Sequence, residues 1–60
     1  MTKNLADDIN RVIDDLETKF RTEMEITKNY LAFGRFIPAI SHIHTAAGYL
    51  YAAGELKKLL

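Results

Sequence analysis

From Ile37 to Gly54 the chain carries no aspartate, glutamate, lysine or arginine, although charged residues make up 27% of the sequence. Something must cover that stretch. Within it Ala39, Ala46 and Ala53 recur every seven residues, with Ile43 and Leu50 four places after the first two, which is the a/d spacing of a packed helix. Two further seven-residue series, Ile40-Ala47-Gly54 and His42-Tyr49-Leu56, run beside the alanines, so apolar surface extends round most of the circumference. A helix of that kind belongs inside a bundle or a membrane. Ser41, His42, His44, Thr45, Tyr49 and Tyr51 interrupt the run, and a span needs about 20 predominantly apolar residues. Burial against protein is therefore expected. The small residues of Ala46-Ala47-Gly48 and Ala52-Ala53-Gly54 would let a neighbouring backbone come close.

Sixty residues make one domain at most, near the size at which a chain alone buries too little surface for comfortable stability. With no cysteine, neither a disulfide nor a thiolate metal site can compensate, which leaves oligomerisation. The formal net charge is zero with the histidines neutral, so no overall field draws nucleic acid or an acidic membrane. The polar, acidic start MTKNLADDIN has neither an apolar signal core nor an arginine-rich transit pattern. A cytoplasmic protein without membrane contact is expected, of a size and simplicity that fit a small bacterial or phage protein.

Along the first half, Leu5, Ile9, Val12, Ile13, Leu16, Phe20, Met24 and Leu31 keep a stripe at spacings of three and four, the mark of a long amphipathic helix. The mean step slightly exceeds 3.5, which predicts a nearly straight rod with little supercoil. Thr2 or Asn4 would cap it, with Asp7 and Asp8 in its first turns. The opposite face carries the ladder Asp7-Arg11-Asp15-Lys19-Glu23 and, beside it, Glu17-Arg21-Glu25. Such pairs add about 0.2–0.5 kcal/mol each to an isolated helix. Gly34 supplies a left-handed stop, Ile37 is biased to extended backbone by the proline that follows, and Pro38 suits the first position of a second helix. The expected fold is all-α: one hairpin domain over residues 1–60, with helices at about 4–33 and 38–60 and a turn at 34–37.

The two rods would be about 45 and 35 Å long, and the mismatch has consequences. Folded antiparallel, the second helix leaves Leu5 and Ile9 without a partner in their own chain and leaves its own outer side bare. A homo-oligomer is expected, most simply a dimer of hairpins forming a four-helix bundle. Its interface would use Leu5, Ile9, Ile43, Ala46, Leu50 and Ala53. Lys57 would lie near Asp14 or Asp15.

Chemistry-bearing residues are sparse. Asp7-Asp8 and Asp14-Asp15 fall on the ladder face, and no Glu-x-x-His pattern accompanies them, so they read as solvated rather than as a cation site. His42 and His44 point about 200° apart on a helix and cannot share a metal within one chain; a hydrogen-bonded interfacial role suits them better. There is no cysteine, no nucleophile elbow and no evident pocket of paired acids. Neither catalysis nor a metal or other cofactor is expected. Nucleic acid is not expected as a partner because the bases of the first helix are interleaved with acids.

Two functional readings remain. In the first, a non-enzymatic homo-oligomer docks on another macromolecule, most plausibly a protein, as an inhibitor or adaptor, through the aromatic-rich turn or the bundle ends. In the second it sequesters a small anionic planar ligand such as a nucleotide between subunits, with Arg35, His42, His44, Tyr49 and Tyr51 as its contacts. Ile37, as cap of the second helix, offers no side-chain acceptor, so the amides of Ala39 and Ile40 would be free to receive an anion.

Overall fold

The computed structural model describes the backbone from Thr2 and the side chains from Asn4, both through to Leu60. Two helices, α1 (Thr2–Ala32) and α2 (Phe36–Lys57), pack against each other with no strand among the described residues. The result is a hairpin rod measuring 50 × 14 × 10 Å. No described helix is long and apolar enough to cross a membrane.

The connection is shorter than the sequence suggests. Gly34 adopts φ 72°, the left-handed conformation that glycine enters without strain. Its amide donates to the Leu31 carbonyl at 3.0 Å and the Arg35 amide to the Tyr30 carbonyl at 2.9 Å. These are the paired bonds of a Schellman motif, and they satisfy carbonyls that the end of a helix leaves open. The helix α2 then begins at Phe36, not at Pro38, with Arg35 as its N-cap residue. Pro38 occupies the third helical position, where an amide would have no intrahelical acceptor, so the missing N–H costs nothing. Ile37 is helical despite the extended bias that the following proline imposes. Ala39 donates to the Arg35 carbonyl at 3.3 Å, so its amide is not free for an anion.

At the other end of α1, Asn4 lies within the helix and does not cap it, and the first turn holds no acid. The side chain of Thr2, the other expected cap, lies outside the described residues.

Both helices present a strict seven-residue face to each other. On α2 the alanines at 39, 46 and 53 are 0–1% exposed, and His42, Tyr49 and Leu56 are half-buried between them. On α1 the inward series is Ala6, Ile9, Ile13, Leu16, Phe20, Glu23, Thr27 and Tyr30, stepping alternately by three and four. That regularity is the pattern of left-handed coiled packing and corrects the longer mean spacing taken from the apolar residues alone. Leu5, Val12, Met24 and Leu31, expected in the stripe, flank it and stay exposed.

His42 touches both Glu23 and Tyr30, which places it opposite Thr27. Antiparallel counting from there sets Ala46 against Glu23, Tyr49 against Phe20, Ala53 against Leu16 and Leu56 against Ile13. Each alanine meets a larger residue of α1, which lets the helices approach closely.

This packing revises the expected oligomer interface. Ala46 and Ala53 are already covered by α1 of their own chain and are closed to a second one. Leu5 and Ile9 do find company within the chain: they line a shallow groove with Ala6, Leu59 and Leu60, because the C-terminal residues continue past α2 along α1. Ile43 and Leu50 remain exposed.

If the alanine seam sets the spacing, Ala46→Leu or Ala53→Leu will overpack it at a cost of roughly 1–3 kcal/mol in urea unfolding. At Gly48 an added Cβ meets nothing within 4 Å, so Gly48→Ala should instead stabilise the mid-helix position by about 0.5–1 kcal/mol. Unchanged midpoints for both alanine variants would place the seam elsewhere.

Candidate functional site

The polar residues of the seam gather in one place. Glu23 faces inward from α1, not outward as a ladder member, and its side chain is 17% exposed. Its carboxylate accepts a 2.7 Å hydrogen bond from Nδ1 of His42. Tyr30, two turns along α1, lays its ring on the same imidazole with centroids 5.5 Å apart and an interplanar angle of 20°. Between them Thr27 is 2% exposed and donates from Oγ1 to the Glu23 carbonyl at 2.8 Å. No described buried side-chain polar atom lacks a partner, as a helix interface requires if such groups are not to be costly.

The cluster holds the His42 ring on one edge and one face. Nδ1 is committed to Glu23, which leaves Nε2 as the nitrogen able to make a further hydrogen bond. A carboxylate-oriented imidazole is one component of acid–base chemistry, but the buried hydroxyl of the cluster, that of Thr27, is turned to a backbone carbonyl, as is that of Thr22 beside Glu23. The geometry observed is that of a register-fixing contact between α1 and α2.

The residues expected to hold a ligand do not converge. Arg35 borders an open groove of about 500 Å³ at the turn end, lined also by Ile26, Asn29, Tyr30 and Phe33. His42 reaches this region only through its stacking on Tyr30. Tyr49 lines a separate, smaller groove with Lys19, Thr22, Glu23 and Ile26. Tyr51 is exposed and its hydroxyl donates to Glu55 at 3.2 Å, while His44 is exposed on the outer side of α2. Tyr30 and Phe33 belong to the aromatics close to Arg35 that already suit a stacked planar ligand in the sequence, whereas Ile26 and Asn29 were not expected beside them. The signal that could have found them is the Schellman turn, which folds Arg35 back over the last turn of α1.

The charge ladders are also rearranged. Lys19 pairs with Asp15 at 2.9 Å, but Arg11 reaches back to Asp8 at 3.1 Å and Arg21 donates to Thr18 at 3.3 Å. Glu17 is claimed across the hairpin by Lys57 at 2.8 Å, one turn from the aspartates expected for that lysine. The Lys57 ammonium, through its hydrogen bond and its charge, holds Glu17 below the ordinary carboxylate value. Asp15 likewise raises Lys19 above the usual lysine value. Asp7, Asp8, Asp14 and Asp15 are exposed, and no group of three or more His, Cys, Asp or Glu among the described residues could hold a metal ion.

Removing one member of the inner pair should be costly: His42→Ala leaves Glu23 facing the interface unpartnered, with an expected loss of about 1–3 kcal/mol in chemical unfolding. The outer pair has a pH signature. Because Glu17 is depressed in the folded state, its contribution is present above pH 4.5 and is lost as the pH falls through the lower folded value. Lys57→Met should therefore flatten the acid limb of the urea-midpoint profile below pH 4.5, and a profile identical to the parent would remove the bridge as its cause.

No family model matches the chain, and neither a curated protein nor a solved structure is significantly similar to it.

Proposed function

We propose that the chain is a non-enzymatic, homo-oligomeric binding protein that docks on another macromolecule, a protein, as an inhibitor or adaptor. One observation carries the reading. Among the described residues the buried apolar side chains are Ile13 and the three seam alanines, whereas Leu31, Phe33, Phe36, Ile37, Ile40 and Leu50 are all exposed. Exposed apolar surface on that scale is characteristic of interaction sites, and a hairpin of this size with so small a core is marginal alone and gains from covering that surface.

Different parts of the surface suit different partners. The flank of the rod repeats along its length and serves self-assembly. The tip, where Phe33 and Ile37 are 82% exposed beside Arg35, combines aromatic, aliphatic and guanidinium groups of the kind that dominate protein contacts. The tip is the docking element for the second macromolecule. The localisation that goes with this role is the cytoplasm.

The groove beside Tyr30, Phe33 and Arg35 favours a second reading, a sequestering protein for an anionic planar ligand such as a nucleotide. It joins a base to two aromatic rings, which is the chemistry such a ligand would need.

Native mass spectrometry of the tagged protein from producing cells separates these readings. The adaptor role predicts an oligomer carrying a macromolecular partner, with the partner lost from Phe33→Ser/Ile37→Ser while the oligomer mass is retained. A sequestering role predicts instead a small added mass and thermal stabilisation by nucleotides, about 2.7 kcal/mol at a hundredfold excess over Kd, abolished by Arg35→Ala. An oligomer that carries nothing and ignores nucleotides would leave neither reading standing.

A further inference from the structure

The seven-residue repeat that builds the hairpin also sorts its exposed residues into faces. Glu17, Met24 and Leu31 share one position of the α1 repeat, and Phe36, Ile43, Leu50 and Lys57 share one position of the α2 repeat. The Glu17–Lys57 bridge shows that these two series lie on the same side of the rod. Stepping seven residues along each helix from that bridge, in opposite directions, brings Met24 level with Leu50 and Leu31 level with Ile43. Next to them on α2 runs Ile40-Ala47-Gly54. This face is uncharged from Phe36 to Gly54, and all its large side chains are exposed.

We infer that this face is the seat of a second copy of the chain, with the two α2 helices antiparallel about a two-fold axis at Ala47. The inference rests on the homo-oligomeric reading above and assigns its surface and geometry. Ala47 lies at the middle of α2 (Phe36–Lys57). Turning the helix over about that point sets Ile40 of each copy against Gly54 of the other, and Ala47 against itself. On one side of this line Ile43 meets the second copy's Leu50. On the other side His44 meets the second copy's Tyr51, which places two exposed rings side by side. Large thus meets small along the axis and apolar meets apolar beside it, as an isologous contact requires.

Area points the same way. Met24, Leu31, Phe36, Ile40, Ile43 and Leu50 keep 40–62% of their exposure, which amounts to on the order of 500 Å² of apolar surface, at the top of what a monomer's largest patch covers. Ala47, Tyr51, His44 and Gly54 extend the face toward the roughly 800 Å² per partner of a standard stable interface. Space is also available, since an added Cβ at Gly54 meets nothing within 4 Å in the isolated hairpin. The opposite face is the poorer candidate, because Lys19 interrupts its α1 series of Leu5, Val12, Ile26 and Phe33.

The test uses the whole chain and light scattering coupled to gel filtration. The parent is expected to run as a dimer. Gly54→Leu should weaken self-association roughly tenfold or more by blocking the seat of Ile40, with helicity retained in circular dichroism, while Gly48→Leu on the outer side should leave it unchanged. The chain has no native cysteine, so Ala47→Cys should give a disulfide-linked dimer on mild oxidation and Thr45→Cys, on the opposite flank, should not. A parent oligomer whose Thr45→Cys variant links and whose Ala47→Cys variant does not would overturn the assigned face but leave oligomerisation intact. A monomeric parent would overturn both.

Discussion

Close approach of two backbones governs this molecule. Alanine at every seventh position of α2 gives α1 a flat, narrow bed, and each alanine receives a larger residue of α1. Close packing gains dispersion contacts along the whole rod, but it leaves little room for larger side chains at the alanine positions of α2. Phe36, Ile37, Ile40, Ile43 and Leu50 of α2 consequently lie exposed outside the seam, and only Leu56 among its large aliphatic residues is half-buried within it. The same seam that makes the hairpin regular makes it incomplete, and the exposed apolar face follows from it directly.

Polar groups enter the seam where an apolar pair would otherwise sit. Glu23, Thr27 and Tyr30 occupy consecutive inward positions of α1: Glu23 pairs with His42, Thr27 with the Glu23 backbone carbonyl, and Tyr30 stacks on the imidazole. Paired polar groups of this kind add less net stability than hydrocarbon would, but a wrong alignment would strand them. They discriminate between alignments that the alanines alone would treat as equal. The Lys57 bridge to Glu17 adds a second, salt-sensitive mark near the other end.

Much of this was legible in the sequence, and the failures have physical causes. The charge-free stretch, the alanine period and Gly34 were enough to read a helical hairpin with its turn near the right residue. The inner face of α1 was misread because counting apolar residues passes over Ala6, Glu23, Thr27 and Tyr30, all of which face inward, and promotes Leu5, Val12, Met24 and Leu31, which do not. A glutamate at ladder spacing looks solvated until a histidine on another helix is known to face it. Pro38 misled for a related reason: its preference for the first helical position is mild, and any of the first few positions tolerates it equally once no amide is needed there. The scattered ligand candidates show the limit of listing residue types. Arg35 reached a groove because the turn folded it there, whereas Tyr51 and His44 simply lie on the outside of α2.

A periodic seam has no intrinsic zero. Sliding α2 by one full repeat would return an alanine to two of the three alanine places, so the alanine contacts alone only weakly resist the shift. The Schellman turn at Gly34 removes that freedom, because a connection of three residues has no slack to pay out. It works as a fixed stop that indexes the ratchet, and the inner polar pair then reads the setting. Lengthening the link by even a few residues would uncouple stop from ratchet and leave a molecule able to idle among several equivalent notches.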